Sequence, residues 1–146
     1  MEAAIRENLE QTFQLPSDAV NFLCDLFSAI QLFDDVADDD PVQRGDLDRV
    51  LWDVFVTIPQ NPFYLRNSIQ LSGLLATQIL KWQASDLQEK KQPSAKTFMW
   101  RAGYYDVVLF VISLCHGRQV ATDMAPLVMK LYGESFEEYM KEFSNA

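Results

Sequence analysis

Histidine is almost absent from this chain, cysteine is scarce, and basic residues are outnumbered by acidic ones. Each shortage closes off a class of chemistry. A single histidine, His116, in 146 residues leaves no way to assemble a Ser-His-Asp triad or a histidine metal cage. It falls near a predicted helix C-terminus, where imidazole is favoured without any further role. The two cysteines, Cys24 and Cys115, both lie in apolar runs and show no zinc-site or disulfide spacing, so they read as small core residues. Lysine and arginine number 12 against 21 aspartates and glutamates, a formal net charge of −9. A general nucleic-acid binder normally presents a basic face, so no nucleic-acid partner is expected. Long hydrophobic runs are missing too. The most apolar stretch, Tyr104 to Cys115, falls short of the roughly 18 residues that span a bilayer, and it carries Asp106. The opening MEAAIRENLEQTF has no basic start followed by an apolar run, so a secretory signal is not expected and a cytoplasmic location is the default.

What is present is a core and helix punctuation. A hydrophobic fraction of 49%, with 12% aromatic, is enough for one packed domain over residues 1–146. Ser17 after Pro16 reads as an N-cap, and Phe22, Leu23, Leu26, Ile30 and Phe33 recur at helical spacing up to a stop near Asp40, enforced by Pro41. Gly45 breaks the chain and Asp46 caps a short helix to about Val56. Asn61-Pro62 opens a long helix to about Lys90, and Ser94 caps another that runs to His116 and ends at Gly117. Thr122 or Asp123 starts a further helix stopped by Gly133, and Glu134 to Phe143 forms the last. Sustained strand alternation is absent, so the predicted fold is an all-α, single-domain helical bundle.

Charge is concentrated in one place. Between Asp34 and Asp53 lie eight aspartates and only two arginines, Arg44 and Arg49. On a helix, Gln31, Asp34, Asp35 and Asp38 share a side, with Leu23, Leu26, Ile30 and Phe33 largely on the other. Like charges one turn apart, at a helix C-terminus whose dipole disfavours them, point to a compensating cation. Carboxylates with no sulfur or imidazole neighbours favour Mg²⁺, Ca²⁺ or Mn²⁺, and Mg²⁺ suits one or two carboxylates shared with phosphate oxygens. A solvated acidic helix end accounts for the same residues, and for Asp39 and Asp40 it is the expected reading.

The segment DDVADDDPVQRG, Asp34 to Gly45, resembles the first aspartate-rich motif of the trans-prenyl diphosphate synthases, within the isoprenoid synthase family. Asp34, Asp35, Asp38, Arg44 and Gly45 fall in register, and Gln43 replaces the first of the family's two arginines. Gln83-Ala-Ser-Asp86-Leu87 resembles the family's Gln-x-x-Asp-Leu motif, with Trp82 in place of glycine, and Lys96-Thr97 resembles its Lys-Thr pair. The resemblance implies a compact isoprenoid-synthase-like bundle in which Asp34 and Asp38 hold Mg²⁺ against a prenyl diphosphate and Asp35 supports them. Arg44 and Lys96 would contact diphosphate oxygens, while Gln83 and Asp86 would line the cavity. A homodimer is compatible with it. The chain is about half the family's usual length. It lacks the basic motif of chain-elongating members, and after Leu131-Tyr132-Gly133 it has no second aspartate motif. Glu138 and Glu142 are the nearest substitutes there, and Asp106 is the other candidate for a second metal.

Two readings from other classes compete with it. One is a helical nucleotide pyrophosphohydrolase, which also uses carboxylate-rich helices and Mg²⁺. The other is a non-catalytic acidic protein that binds a basic protein partner. Among remaining residues, Asp106 is expected to be at least half buried and to take a partner from another helix. Asn67 and Gln78 are expected to bond between helices, and Trp52, Trp82 and Trp100 to fill the core.

Overall fold

The computed structural model describes residues 2–144, and no strand occurs among them. The all-α class is as the periodicity requires. The chain divides into two compact units, Met1–Ser68 and Ile69–Ala146. Each is built around its own central helix.

In the first unit that helix is α2, Ser17–Ala37. It follows α1, Glu2–Glu7, and a π-helical turn over Asn8–Thr12. Ala19, Val20, Phe22, Leu23, Cys24, Leu26, Phe27, Ala29 and Leu32 are all buried, so α2 is covered on more than one side and serves as the axis of the unit. Leu9 and Phe13 pack beneath it, and the chain turns between them and α2 at Gln14, whose φ is 48°. Beyond the aspartates comes α3, Arg44–Trp52, which continues through a π turn, Asp53–Thr57, into the short α4, Ile58–Gln60. Gly45 therefore lies inside a helix instead of breaking one, because Pro41 to Gln43 already make the turn. Ala29 and Leu32 of α2 pack on Val50 of α3, with Val42 and Val54 at the margin. The last piece, α5, Pro62–Arg66, begins where Asn61 accepts the Tyr64 N–H at 3.0 Å, and the Asn61 amide donates to the Asp18 carbonyl at 3.0 Å. Phe22 then meets the rings of Phe63 and Tyr64 at 6.1 and 5.6 Å.

The long helix expected from Pro62 to Lys90 is interrupted at Asn67, whose φ is −123°. Its side-chain amide turns back to the Phe63 carbonyl, at 2.9 Å, a local bond that competes with the helix and takes the place of the expected bond to another helix. After it runs α6, Ser68–Glu89.

The axis of the second unit is α8, Gly103–His116, with Tyr104, Val107, Val108, Val111 and Ile112 buried. Gly117, at φ 93°, ends it, and α9, Arg118–Lys130, begins at once and packs back along it. The helix expected over Ala95 to His116 is likewise divided. Ser94 and Thr97 form a reciprocal capping box for α7, Ala95–Trp100, and the chain bends at Arg101 and Ala102 before α8. The cause of that bend is tertiary: Arg101 reaches back to α6, and the backbone at Gly103 lies directly against the Gln78 side chain. α10, Phe136–Ser144, closes the unit with Tyr139 buried.

Gln78 Oε1 is buried without a hydrogen-bond partner among the described residues, and a Cβ on Gly103 would overlap it. Gly103→Ala is therefore expected to destabilise by about 1–2 kcal/mol through overpacking. In a Gln78→Ala background the same change should be neutral or stabilising, giving a coupling of about 1 kcal/mol in a denaturant double-mutant cycle. Additive effects would show that α6 and α8 do not meet at this point.

Candidate functional site

The aspartates finish α2 in a helix-ending motif. Asp39 adopts φ 58°, its N–H donates to the Val36 carbonyl at 3.2 Å, and the Asp40 N–H donates to the Asp35 carbonyl at 2.9 Å. Glycine usually holds the left-handed position, and aspartate is among the few residues that tolerate it. Asp39 and Asp40 are exposed, as a solvated helix end requires. Asp34 and Asp35 are half-buried, and Asp38 is exposed one turn beyond Asp34. The arginines of the segment are matched within α3. Arg44 pairs with Asp48 at 3.0 Å and Arg49 with Asp46 at 3.5 Å, both largely in solvent. Among the described residues, no group of three or more His, Cys, Asp or Glu converges closely enough to hold a metal ion.

Beside the acid lies an apolar face that the spacing did not single out. On α3, Val50 turns to the core, while Leu47, Leu51 and Trp52 are exposed, as is Phe55 in the π turn that follows. Phe33 and Val36 of α2 are exposed as well. Two expectations are corrected here. Phe33 is not on the buried side, because Val50 covers Ala29 and Leu32 and leaves Phe33 around the edge. Trp52 is not core, because it projects from the side of α3 opposite Val50.

The remaining motif residues lie in the second unit. Gln83 is exposed on α6 and Lys96 is exposed on α7. Asp86 is half-buried and accepts a hydrogen bond from Arg101 at 3.0 Å. The same Arg101 nitrogen donates to Glu89 at 2.6 Å. Tyr139 donates its hydroxyl to the other Glu89 oxygen at 2.8 Å and meets the Thr97 hydroxyl at 2.6 Å, while Ser85 donates to the Thr97 carbonyl at 2.8 Å. This network joins α6, α7 and α10, and Phe98, Tyr132, Phe136 and Phe143 surround it with ring contacts of 5.1–6.5 Å. Burial pushes the Glu89 carboxyl above its ordinary value, against the pull of Tyr139 and Arg101, and burial pushes the Tyr139 hydroxyl up to about 12. Glu89, Arg101 and Tyr139 carried no motif. Their one sequence signal is that Glu89 continues the inward stripe of α6, eleven residues after Gln78.

Asp106 also departs from expectation. It is exposed, not half-buried, because it sits in the first turn of α8 at the fringe of the core. Its partner does come from another helix: Lys81 of α6 stands 3.4 Å away, its ammonium also 5.6 Å from the Trp100 ring centroid. Trp100 is exposed, and Trp82 is half-buried. Glu138 and Glu142 are exposed on α10. No described helix is long and apolar enough to cross a membrane. No family model, no curated protein and no solved structure matches the chain.

The network carries a stability prediction with a definite sign. Arg101→Met leaves two adjacent carboxylates without their shared cation and should destabilise by about 3 kcal/mol. Glu89→Gln should cost less, since Asp86 still holds Arg101. The native state holds the Glu89 proton more tightly than the unfolded chain does, so its contribution is fully present below the unfolded value of 4.5 and is lost as pH rises through the raised native value. Melting curves should accordingly show wild type gaining on Glu89→Gln as pH falls from neutral toward 4.5. A constant difference would mean that Glu89 keeps an ordinary titration.

Proposed function

We propose that the first unit is a protein-interaction module whose apolar α3 face, next in the chain to the acidic end of α2, binds a basic amphipathic segment of a partner protein. The observation that carries this reading is the side of α3 and of its π turn away from the core, where Trp52 and Phe55 are 63% and 72% exposed, in the segment that follows the aspartates Asp34 to Asp40. Large aromatic side chains left in water are costly to keep and supply much of the energy of interfaces. Arg44 and Arg49 are matched to Asp48 and Asp46 within α3, so the surplus negative charge of the segment is carried by Asp53 and by the five aspartates from Asp34 to Asp40 at the end of α2, and it attracts a cationic segment and speeds encounter. The π turn at Asp53–Thr57, an uncommon feature that recurs at functional sites, lies under Phe55.

A synthetic helix of leucine on one face and lysine on the other is the probe. Calorimetry at about 50 mM salt should give micromolar binding, weakening several-fold at about 300 mM as the exposed charges are screened. Phe55→Ser and Trp52→Ala should each lower affinity about tenfold or more, as loss of an aromatic anchor does. A glutamate-faced peptide of the same pattern should not bind. Equal binding of the two peptides, or no effect of Phe55→Ser, would dismiss the proposal.

A second reading rests on Asp34 and Asp38 standing one turn apart at the end of α2. There they would hold Mg²⁺, and the ion would neutralise the phosphates of a prenyl diphosphate, as the resemblance implies. Arg44 would have to leave Asp48 to join them. Calorimetry with farnesyl diphosphate should then show binding only with Mg²⁺, abolished in Asp34→Ala/Asp38→Ala and indifferent to Phe55→Ser. Binding that is absent, or that ignores Mg²⁺, would remove this reading and leave the peptide result untouched.

A further inference from the structure

α6 has a mixed inward face and an apolar outward one. Leu71, Leu74, Gln78, Lys81, Ser85 and Glu89 form the side turned toward the second unit, and three of them are the buried residues of the helix. Ile69, Gly73, Ala76, Leu80, Gln83 and Leu87 fall on the opposite side, separated by steps of four, three, four, three and four residues. That alternation is the repeat of a coiled-coil seam. Its large members are in water: Ile69 is 88% exposed, Leu80 66% and Leu87 68%. The spacing is that of a helix packed lengthwise against a second helix at shallow angle, and Gly73 and Ala76 in mid-seam allow close approach.

The charge pattern selects the occupant. The whole chain carries −9, yet from Asn67 to Leu80 it has no ionisable residue at all. Two copies of a strongly acidic protein repel almost everywhere on their surfaces. They can meet only where charge has been left out, and this seam is such a place. Of the positions flanking it, Gln70, Ser72, Thr77, Ile79 and Ala84 are uncharged too, and the sixth, Asp86, is held by Arg101 of its own unit, so they offer little to attract a charged foreign helix and little to repel an identical one. We infer that α6 is a self-association surface and that its partner is α6 of a second copy of this chain.

The area sets the strength. A 22-residue helix is about 33 Å long and about 10 Å wide with side chains, a strip on the order of 330 Å² in projection. Counted on both copies that is on the order of 660 Å², below the roughly 1,200 Å² at which stable interfaces begin, so the dimer is a weak one that should dissociate at tens of micromolar.

Sedimentation of the full chain over about 1–200 µM should show a monomer passing to a species of twice the mass. The dimer should hold or tighten as salt rises, because screening weakens the repulsion between acidic copies. Leu80→Glu and Ala76→Glu should each give monomer at every concentration, with helical circular dichroism and monomer stability retained. Phe55→Ser, on the other apolar face, should leave the dimer intact, so this inference and the interaction-module reading fail separately. A wild type that stays monomeric at 200 µM would overturn the inference, whether the seam serves a different protein or none. A dimer that survives both glutamate variants would overturn it as well. So would a large loss of monomer stability in those variants, because the seam would then be covered within its own chain.

Discussion

A unit of roughly 70 residues has too little volume to bury all the apolar surface that its helices carry, because the buried fraction falls as a domain shrinks. This chain, 49% hydrophobic, contains two such units. Each therefore spends its best apolar residues around one axis helix, α2 or α8, and leaves others in water. The consequence appears wherever a peripheral helix touches its axis along a single line. α3 meets α2 through Val50, and its remaining large residues face outward. α6 contributes Leu71 to its unit and keeps a complete second stripe outside.

The second unit supplements its apolar packing with polar bonds. Arg101 stands between two carboxylates, and Tyr139 is held by Glu89 on one side and Thr97 on the other. Such a network stabilises little relative to an apolar core, but it is costly to break in part, and it orients α6, α7 and α10 in one way. Its members come from α6, α7, α10 and the bend between α7 and α8, so the bend at Arg101 and the seating of α10 are two results of one set of bonds. An ionisable group with a raised pKa often marks a catalytic site. Here Glu89 is occupied on both oxygens by donors from its own unit, which gives it a structural use without invoking a substrate.

Much of the fold was legible in local chemistry. Asn61-Pro62, the Ser94 capping box and the stop at Gly117 all appear where those residues dictate. The breaks at Asn67 and Arg101 were not legible, because neither position carries a proline or a turn glycine. One arises from a side chain bonding its own backbone, and the other from a side chain bonding a distant helix. Burial was half legible. The period of three and four identifies apolar faces, but on α6 the more regular apolar stripe is the exposed one and the inward face is mixed, so periodicity alone does not say which side meets the core. The aspartate motif was visible at once, with Asp39 and Asp40 as the solvated end of α2, and what the sequence could not convey is that Arg44 turns to Asp48.

The two outward apolar faces differ chiefly in charge, and that difference separates their uses. Were α3 to pair with α3 of another copy, Asp53 and the aspartates that end α2, which lie outside the two ion pairs of α3, would approach the same residues of the other chain. At a separation of several ångströms, inside the screening length of about 8 Å at physiological salt, that repulsion opposes what the aromatic residues would gain. A cationic segment meets the opposite situation on the same surface. On α6 the balance reverses: an uncharged stripe gives a basic helix no advantage over any other, while an identical stripe is matched in shape and meets no repulsion. Apolar surface makes both faces adhesive, and the placement of aspartates decides what each one can adhere to. Adding acid to α6, or removing it from α3, would blur the distinction without altering a single core contact.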